Sequence, residues 1–336
     1  MHRLLFSFIV LCILGLLCIG GAGIWMYRYA TTPSPGNGSV LVQIPRGAGV
    51  RDIGAVLAEQ RLLENDVRYL ILVRLTGTGT RLQAGEFELQ YGWTPLQVLR
   101  FLEQGKTYTR QLTIPEGLTL TDIAVLFAEH GWGSKEKLTD LAREKSFCLA
   151  LGVEQASLEG YLFPDTYYLT RGEMRERDLL AMMVRRFHEV WSQLQVPEQF
   201  AFSQHEIVTL ASMVEKETGT AAERPLISRV FINRLERGMR LQSDPTVIYG
   251  LKTFNGNLTR SDLRTPSPYN TYVVQGIPAG PICNPGRDAL EAILLPAETD
   301  ALYFVSRNDG RHHFSTTLKE HNRAVRKYQK KRKRAK

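Results

Sequence analysis

The sequence predicts an α+β protein that carries one membrane-spanning helix at its N-terminus. Three observations support this prediction: an uncharged apolar run at the start, a strand–helix repeat after it, and helices separated by loops and a late hairpin in the remainder. The chain has 336 residues, enough for two domains, and its hydrophobic fraction of 43% is normal for a globular protein. We therefore expect an anchor, a small α+β module and a larger α+β domain.

Residues 4–26 carry no charge, and at about 1.5 Å per residue they are long enough to span a bilayer core. The run is too long for a signal-peptide core, and no A-x-A-like cleavage site follows it. We therefore predict an uncleaved anchor. The positive charges before the run, Arg3 and the amino terminus, barely outnumber the one after it, Arg28. The charge difference between the two flanks is therefore only weak evidence for the orientation of the helix in the membrane. A short N-terminus and a long C-terminal part favour a cytoplasmic N-terminus with the body on the other side.

A Pro/Gly/Ser-rich segment, residues 31–39, is predicted to link the anchor to a pair of repeats. The pattern I-P-x-G, then D-I, then A-E occurs in residues 43–59 and again 70 positions later, in residues 113–129. Each copy predicts a strand, a tight turn and an amphipathic helix, so residues 40–130 are expected to form one small module. A carbohydrate-binding module and a plain spacer both fit this pattern.

The most informative stretch is the helix predicted at residues 207–218, IVTLASMVEKET, which follows an S-x-x-E capping box formed by Ser203 and Glu206. Its apolar residues recur at helical spacing and define one stripe. Glu217 extends that stripe, whereas Glu215 points away from it and is expected to be solvated and replaceable. A carboxylate at the buried end of a helix is costly unless it is paired or protonated. Glu217 is therefore either a candidate general acid or a helix-end carboxylate paired with a nearby arginine.

Two other segments are candidates for the walls of a site. Residues 158–169 are rich in aromatic residues, which could stack on sugar rings in a cleft or could form a buried strand and loop. Residues 263–286 are rich in Pro, Gly, Asn and Tyr and predict long loops shaped for a site. Beyond them, residues 302–305 and 313–315 predict a hairpin across the turn at Asp309 and Gly310.

Much of the formal charge of +8 comes from a basic tail, residues 326–336. A solvated, disordered tail and a segment that binds an anionic polymer or lipid surface both fit it, and no nucleic-acid-binding signature is present. Outside the anchor the cysteines are Cys148 and Cys283, without a C-x-x-C motif, so neither a disulfide framework nor a zinc site is indicated. His312 and His313 are adjacent and cannot share a helix face as metal ligands.

Several strings resemble, in the same order, those of the membrane-bound endolytic murein transglycosylases, also called the YceG-like or MltG family. They are EGYLFPDTY (159–167), ASMVEKET (211–218), VFINRL (230–235), GMRLQSDPTVIYG (238–250), SPYNTY (267–272), GIPAGPICNPG (276–286) and HHFSTTLKEHN (312–322). The resemblance implies a LysM-like module at residues 40–130 and a catalytic domain at residues 131–325.

The resemblance also implies the activity. The family cuts the β-1,4 bond between N-acetylmuramic acid and N-acetylglucosamine within peptidoglycan strands, leaves 1,6-anhydromuramyl ends, and is thought to terminate strand growth. It implies a single-pass protein of the cell inner membrane with a periplasmic catalytic domain and no metal or organic cofactor. Peptidoglycan strands, the membrane, and peptidoglycan synthases with divisome or elongasome proteins are the implied partners. A non-catalytic wall-binding scaffold for the synthases is the alternative.

The acid that matches the family motif is the second glutamate of E-K-E-T, Glu217. One carboxyl group can act first as the acid and then as the base, because the muramyl C6 hydroxyl is the internal nucleophile. Glu159 is weighed as a second cleft acid or a salt-bridge partner, and His321 as a residue near the site or one that closes the domain. Family pattern and polarity suggest a set of substrate-binding residues: Asp165, Asn233, Gln242, Asp244, Thr246, Tyr269, Asn270 and Tyr272.

Overall fold

The protein is described by a computed structural model that covers residues 2–171, 174–198 and 200–329. The basic tail predicted at residues 326–336 therefore lies mostly outside the described residues. The chain divides into two compact units. The first comprises the described residues of 1–112 and 168–175, and the second those of 113–167 and 176–336.

The first helix, α1 (His2–Thr31), extends past the predicted anchor. Its Leu5–Thr31 part is the one helix of the described residues that is long and apolar enough to cross a membrane. The helix does not stop at the end of the apolar run, because Tyr29 and Ala30 are buried in the core of the first unit. The hydroxyl of Tyr29 donates to the carbonyl of Glu64 at 2.6 Å. This helix therefore suits a single-pass anchor that continues into the folded unit.

The segment predicted as a linker, residues 31–39, is hydrogen-bonded to the first unit along its length. The backbone N–H of Ser34 donates to the Trp93 carbonyl at 2.9 Å, and the N–H of Gly92 donates back to the Ser34 carbonyl at 3.2 Å. The N–H of Tyr91 donates to the Gly38 carbonyl at 2.9 Å. A flexible tether does not make such bonds, so this segment holds the end of α1 against the unit.

The first unit packs three helices on a two-stranded antiparallel sheet. Strands β1 (Ser39–Ile44) and β2 (Gly85–Gln90) pair from Ser39 opposite Gln90 to Ile44 opposite Gly85. Because side chains alternate across a strand, Val42, Ile44, Phe87 and Leu89 share the buried face. The helices that cover this sheet are α2 (Val50–Glu59), α3 (Val67–Thr76) and α4 (Pro95–Gln104).

Two further strands, β3 (Thr109–Thr113) and β4 (Thr166–Thr170), form a second two-stranded sheet. The second repeat has the predicted order of strand, turn and helix, as the first has, with β3 followed by α5 (Leu120–Glu129). That helix belongs to the second unit, where it packs on α6 (Lys135–Leu141). The assignment of residues 40–130 to one LysM-like module stays a prediction.

The second unit is built around one buried helix, α9 (Gln204–Glu217), which contacts α10 (Arg224–Glu236), α11 (Asp244–Gly250) and α12 (Arg287–Leu294). The predicted capping box at its start is confirmed, since Ser203 N–H donates to Glu206 Oε2 at 2.8 Å and Glu206 N–H to Ser203 Oγ at 3.4 Å. The other elements are α7 (Lys145–Ala150), α8 (Glu176–Gln193), α10 (Arg224–Glu236), α11 (Asp244–Gly250), α12 (Arg287–Leu294), β5 (Tyr303–Ser306), β6 (His312–Ser315), α13 (Leu318–Tyr328) and 3₁₀ helices at Ala221–Glu223 and Asp262–Arg264.

The late hairpin is confirmed, because β5 and β6 pair antiparallel from Tyr303 opposite Ser315 to Ser306 opposite His312. Residues 263–286 form loops with little regular structure, as predicted. The aromatic stretch, by contrast, is mostly core: Tyr161, Phe163 and Tyr167 are between 3% and 6% exposed, and of its aromatic side chains only Tyr168, at 64%, faces outward. The buried alternative is therefore the one that the structure supports.

Candidate active site around Glu217

Glu217 is the last residue of α9, where the helix leaves the core. Residues 207–214, which precede it in the helix, are all buried. The half-buried side chain of Glu217 therefore lies at the border of the hydrophobic core. Burial is the largest cause that raises the pKa of the Glu217 carboxyl, because an ionised group loses hydration there. This is the electrostatic setting that keeps a carboxylic acid protonated and able to give a proton.

A serine from a distant loop holds this carboxyl group. The hydroxyl of Ser243 donates to Glu217 Oε1 at 2.7 Å. Ser243 is at the N-cap position of α11, but its side chain makes no capping bond to that helix. Its own N–H donates to Thr271 Oγ1 at 2.9 Å, and Thr271 Oγ1 lies 2.8 Å from Thr246 Oγ1. Hydrogen bonds to buried hydroxyl groups thus position Ser243, and the Ser243 hydroxyl in turn positions the Glu217 carboxyl group.

The acid faces a cavity of about 280 Å³ in the second unit. The lining comes from α9, α10, the loop before α11, the loop before α12, the late hairpin and α13. These residues are Glu217, Arg234, Leu241, Gln242, Asp244, Tyr272, Tyr303, Phe304 and His321. Polar and aromatic side chains therefore converge on one carboxyl group, which is the arrangement expected of a site for a polar ligand with flat or ring-shaped parts.

A buried arginine forms part of the wall of this cavity. Arg234 donates from Nε to the Leu302 carbonyl and from Nη1 to the Leu241 carbonyl, both at 2.7 Å. Its guanidinium lies 5.2 Å from the centre of the Tyr303 ring. The bonds to two different segments hold this cation at a fixed place in the wall.

The charged neighbours of Glu217 act on its pKa in opposite directions. Asp244 adds to the rise that burial causes, whereas the Ser243 hydrogen bond, His312 and Arg234 lower the pKa. Asp244 is itself held, since the Tyr272 hydroxyl donates to its Oδ1 at 2.6 Å. The pKa of Glu217 therefore depends on neighbours that single substitutions can remove.

The other acid of E-K-E-T has a different environment from the predicted one. The side chain of Glu215 is 8% exposed, its Oε1 lies 3.0 Å from Arg224 Nη2, and its Oε2 accepts from the Gly286 N–H at 3.1 Å. The prediction that Glu215 is solvated is wrong, because α10 and α12 pack around α9 and leave no water-facing side at this position. The carboxylate paired with an arginine is thus Glu215.

Among the eight predicted substrate-binding residues, the structure brings Gln242, Asp244 and Tyr272 to the cavity with Glu217. Gln242 directly precedes Ser243 and has a left-handed backbone conformation, with φ of 50°. Such a conformation is uncommon for a residue other than glycine, and it changes the direction of the backbone directly before Ser243. These three side chains are the ones placed to touch a ligand.

The remaining five predicted residues lie outside the lining. Asn233 donates to the carbonyls of Thr299 and Ala301, both at 2.9 Å, and Asn270 donates to the Thr265 carbonyl at 2.8 Å. Thr246 is buried in the hydroxyl network behind Ser243. These contacts position the loops around the cavity. A direct substrate contact of these residues stays a prediction.

Tyr269 and Asp165 have partners of other kinds. The ring of Tyr269 packs edge-on against Tyr249, with centroids 4.8 Å apart. Asp165 Oδ2 lies 2.7 Å from Nε of Arg186, and its Oδ1 accepts from the Thr166 N–H. These contacts hold Asp165 at the start of β4, and its role in substrate binding likewise stays a prediction.

Glu159 is neither a cleft acid nor an ion-pair partner among the described residues. It is 6% exposed and accepts hydrogen bonds from the Leu120 N–H, the Asn284 side chain and the Tyr249 hydroxyl, at 2.9, 3.0 and 2.9 Å. Burial raises the pKa of Glu159 to about 7. This carboxyl group joins the start of α5 to α11 and to the loop before α12.

Sequence reasoning missed five residues of the site: Ser243, Arg234, Leu241, Tyr303 and Phe304. Ser243 and Arg234 were visible only as members of the GMRLQSDPTVIYG and VFINRL strings. No spacing rule relates them to Glu217, because they come from other elements. His321, for which both a site role and a structural role were open, lines the cavity and stacks on Tyr303 with centroids 5.2 Å apart.

Comparison with known proteins gives a consistent result. The sequence profile of the YceG-like family matches residues 42–327 of this chain. A protein of Bacillus subtilis (strain 168) named endolytic murein transglycosylase is 33% identical over 306 residues, which are 86% of this chain and 85% of that protein. A protein of the same name from Streptococcus pneumoniae serotype 2 is 29% identical over 95% of this chain, which spans 64% of that protein's length.

One solved structure adds to this. The crystal structure of a YceG-like protein from Listeria monocytogenes is similar to this chain with a TM-score of 0.57 and 31% sequence identity. The match covers 85% of this chain and 98% of the other.

Proposed function

The chain belongs to the YceG-like family, and from this premise we propose that it is a murein transglycosylase whose catalytic acid is Glu217. More closely, we propose a lyase that cuts the β-1,4 bond between N-acetylmuramic acid and N-acetylglucosamine and leaves 1,6-anhydromuramyl ends. The observation that supports this chemistry best is a single half-buried carboxyl group with a raised pKa at a polar and aromatic cavity.

The first step needs a proton donor. Burial raises the pKa of Glu217 and so favours its protonated form, which gives its proton to the glycosidic oxygen as the bond from that oxygen to C1 breaks. The Ser243 hydroxyl occupies Oε1, which leaves Oε2 as the oxygen that carries the proton. Arg234, His312 and the Ser243 hydrogen bond then stabilise the carboxylate that forms.

The second step uses the same group as a base. The Glu217 carboxylate removes the proton of the muramyl C6 hydroxyl while that oxygen attacks C1, so the new bond closes the 1,6-anhydro ring and the acid is regenerated. Since the nucleophile belongs to the substrate, neither a water molecule nor a second carboxylate is needed, in contrast with ordinary glycosidases. Gln242, Asp244 and Tyr272 line the cavity and are proposed to bind the sugars.

We further propose that the reaction takes place at the cell inner membrane, with the N-terminus in the cytoplasm and the catalytic unit in the periplasm. Support comes from α1, whose Leu5–Thr31 part can span a bilayer. In that position the enzyme acts on nascent strands, terminates their elongation and works beside peptidoglycan synthases.

The test is to incubate the full chain in detergent with purified sacculi and to analyse the products by mass spectrometry in ¹⁸O-labelled water. The expected products carry anhydro ends without ¹⁸O, and the Glu217→Gln protein yields none. Reducing ends that contain ¹⁸O would identify a hydrolase instead. Undigested sacculi with retained wall binding would point to the scaffold alternative.

A further inference from the structure

A second cavity, of about 740 Å³, lies in the first unit at the C-terminal end of α1. Its walls include the last turns of α1, the turn that follows α2 and the start of α3. The lining residues that matter here are Gly21, Ile24, Trp25, Arg28, Arg61 and Arg68. One end is thus apolar and the other carries guanidinium groups, so the cavity is amphipathic.

The anchor places this cavity at a defined depth. Arg28 is the first charged residue after the uncharged run, and Trp25 lies one helical turn before it. In membrane proteins, such residues mark the level of the lipid headgroups. Because Tyr29 is buried in the first unit and residues 31–39 are hydrogen-bonded to that unit, the cavity cannot swing away from the headgroups on a flexible tether.

The polar end has an excess of positive charge. Arg68 is paired with Glu64 and Asp66 and lies over the rings of Trp25 and Tyr29, 5.6 and 4.7 Å from their centres. Arg28 and Arg61 have no carboxylate partner within the part of the chain that the structure describes. Two guanidinium groups are therefore available to an anion.

Arg61 differs from its counterpart in the second repeat. It has a left-handed backbone conformation with φ of 57°, and 70 positions later the same turn holds Gly131 with φ of 73°. In both copies this residue's N–H donates to the alanine carbonyl three positions earlier, at 2.9 and 3.0 Å. Glycine adopts this conformation without strain and arginine does not. The first repeat thus accepts a strained backbone at the position that carries a cation to the cavity.

We propose that this cavity binds one anionic phospholipid, with its phosphate against Arg28 and Arg61 and an acyl chain along Gly21 and Ile24. Guanidinium groups match phosphate oxygens in charge and geometry, and the volume suits an amphipathic small molecule. The inference rests on the proposed membrane anchor and not on the murein chemistry. If this lipid is bound, the first unit is attached to the membrane surface both by α1 and by the bound lipid.

The test titrates the full chain in a neutral detergent with phosphatidylglycerol and counts bound lipid by native mass spectrometry. The double variant R28Q/R61Q should need about tenfold more lipid for half occupancy, since each arginine near an anionic lipid contributes on the order of a few-fold in binding. The matched control R51Q/R100Q removes the same charge from exposed positions of the same unit outside the lining, and should bind as the unsubstituted protein does.

Equal weakening in both double variants, or undiminished binding in R28Q/R61Q, would overturn the proposal. So would equal binding of phosphatidylcholine, or displacement of the lipid by millimolar inorganic phosphate, which would indicate a bare phosphate site. Digestion of sacculi in detergent should be unchanged in R28Q/R61Q. Failure of the unsubstituted protein to digest sacculi would contradict the murein proposal and leave the lipid result standing.

Discussion

Glu215 and Glu217 are two residues apart at the end of one helix, yet their surroundings differ in every respect that matters for chemistry. Glu215 is paired with Arg224 and accepts a hydrogen bond from the backbone N–H of Gly286. Glu217 faces a cavity, lacks an ion-pair partner among the described residues, and accepts one hydroxyl hydrogen bond. The comparison shows that the partners supplied by neighbouring elements, and not the residue type, separate a structural acid from a candidate catalytic one.

The largest expected effect comes from the change that removes the acid alone. Glu217→Gln should lower kcat by about 10³-fold, because general acid–base catalysis by a positioned carboxyl contributes that much. The same variant should unfold at a higher temperature than the unsubstituted protein. A carboxyl group whose pKa is raised in the folded state binds more protons in the native protein than in the unfolded chain. The free energy of unfolding of the unsubstituted protein therefore falls as the pH rises from about 4.3 towards the pKa of Glu217 in the folded state, and Glu217→Gln removes this loss.

Product formation from sacculi and thermal unfolding followed by circular dichroism at several pH values measure both quantities. The gap in Tm between the two proteins should widen as the pH rises. Full activity of Glu217→Gln would remove this residue from the mechanism.

Glu215→Gln should show the reverse pattern. Breaking its buried ion pair should lower the free energy of unfolding by about 3 kcal/mol, the lower end for such pairs, because Arg224 keeps Glu116 and Asp288 as partners at 3.1 and 3.3 Å. Activity per folded molecule should remain within a few-fold of the unsubstituted enzyme. Urea unfolding and initial rates at a temperature below both transitions provide the data. Unchanged stability would contradict the structural role assigned to Glu215.

Ser243→Ala sharpens the description of Glu217, since it removes the hydroxyl that holds Oε1. We expect kcat to fall about tenfold, the effect of losing one hydrogen bond to a charged group. The pKa of Glu217 should rise further, because this hydrogen bond lowers it. The fall in activity at high pH should therefore move to higher pH. Ser243→Thr retains a hydroxyl group and is the control. A uniform loss with an unmoved pH profile would indicate a merely structural serine.

Asp244→Asn should have the smallest effect on rate and the opposite effect on pH dependence. Asp244 raises the pKa of Glu217 by its charge, so the neutral amide should lower that pKa and move the high-pH fall in activity to lower pH. The rate at low pH should change only a few-fold. The pH dependence of kcat/KM, measured for Asp244→Asn and for Ser243→Ala under the same conditions, shows whether the two profiles shift in opposite directions. Shifts in the same direction would mean that the charges around Glu217 are wrongly assigned.

Features that depend on neighbours in the sequence were predictable. The capping box at Ser203 and the strand–turn–helix order of both repeats follow from local hydrogen bonding and side-chain periodicity. The apolar stripe of α9 was predicted too narrowly, since Val208, Thr209, Ser212 and Met213 are buried as well. Periodicity assumes one water-facing side, whereas residues 207–214 of α9 are buried on every side.

The wrong prediction for Glu215 has the same origin. Glu215 was placed in water by its angle on the helix, and the packing of α10 and α12 placed it in an ion pair instead. Asn233 and Asn270 were predicted to bind substrate because they are polar and lie in family strings. In the structure their amides bond to backbone carbonyls of loops that no sequence pattern locates.

By itself the sequence determined the apolar first helix, the repeat, the late hairpin and the selection of Glu217 as the candidate acid. Each depends on composition, on a period, or on a motif that can be read without knowing what lies across the fold. Only the tertiary structure decided that Ser243 donates a hydrogen bond to this acid, that Arg234 lines its cavity and that Arg224 pairs with Glu215. These contacts join elements far apart in the chain, and their geometry is set by how the helices and loops pack together.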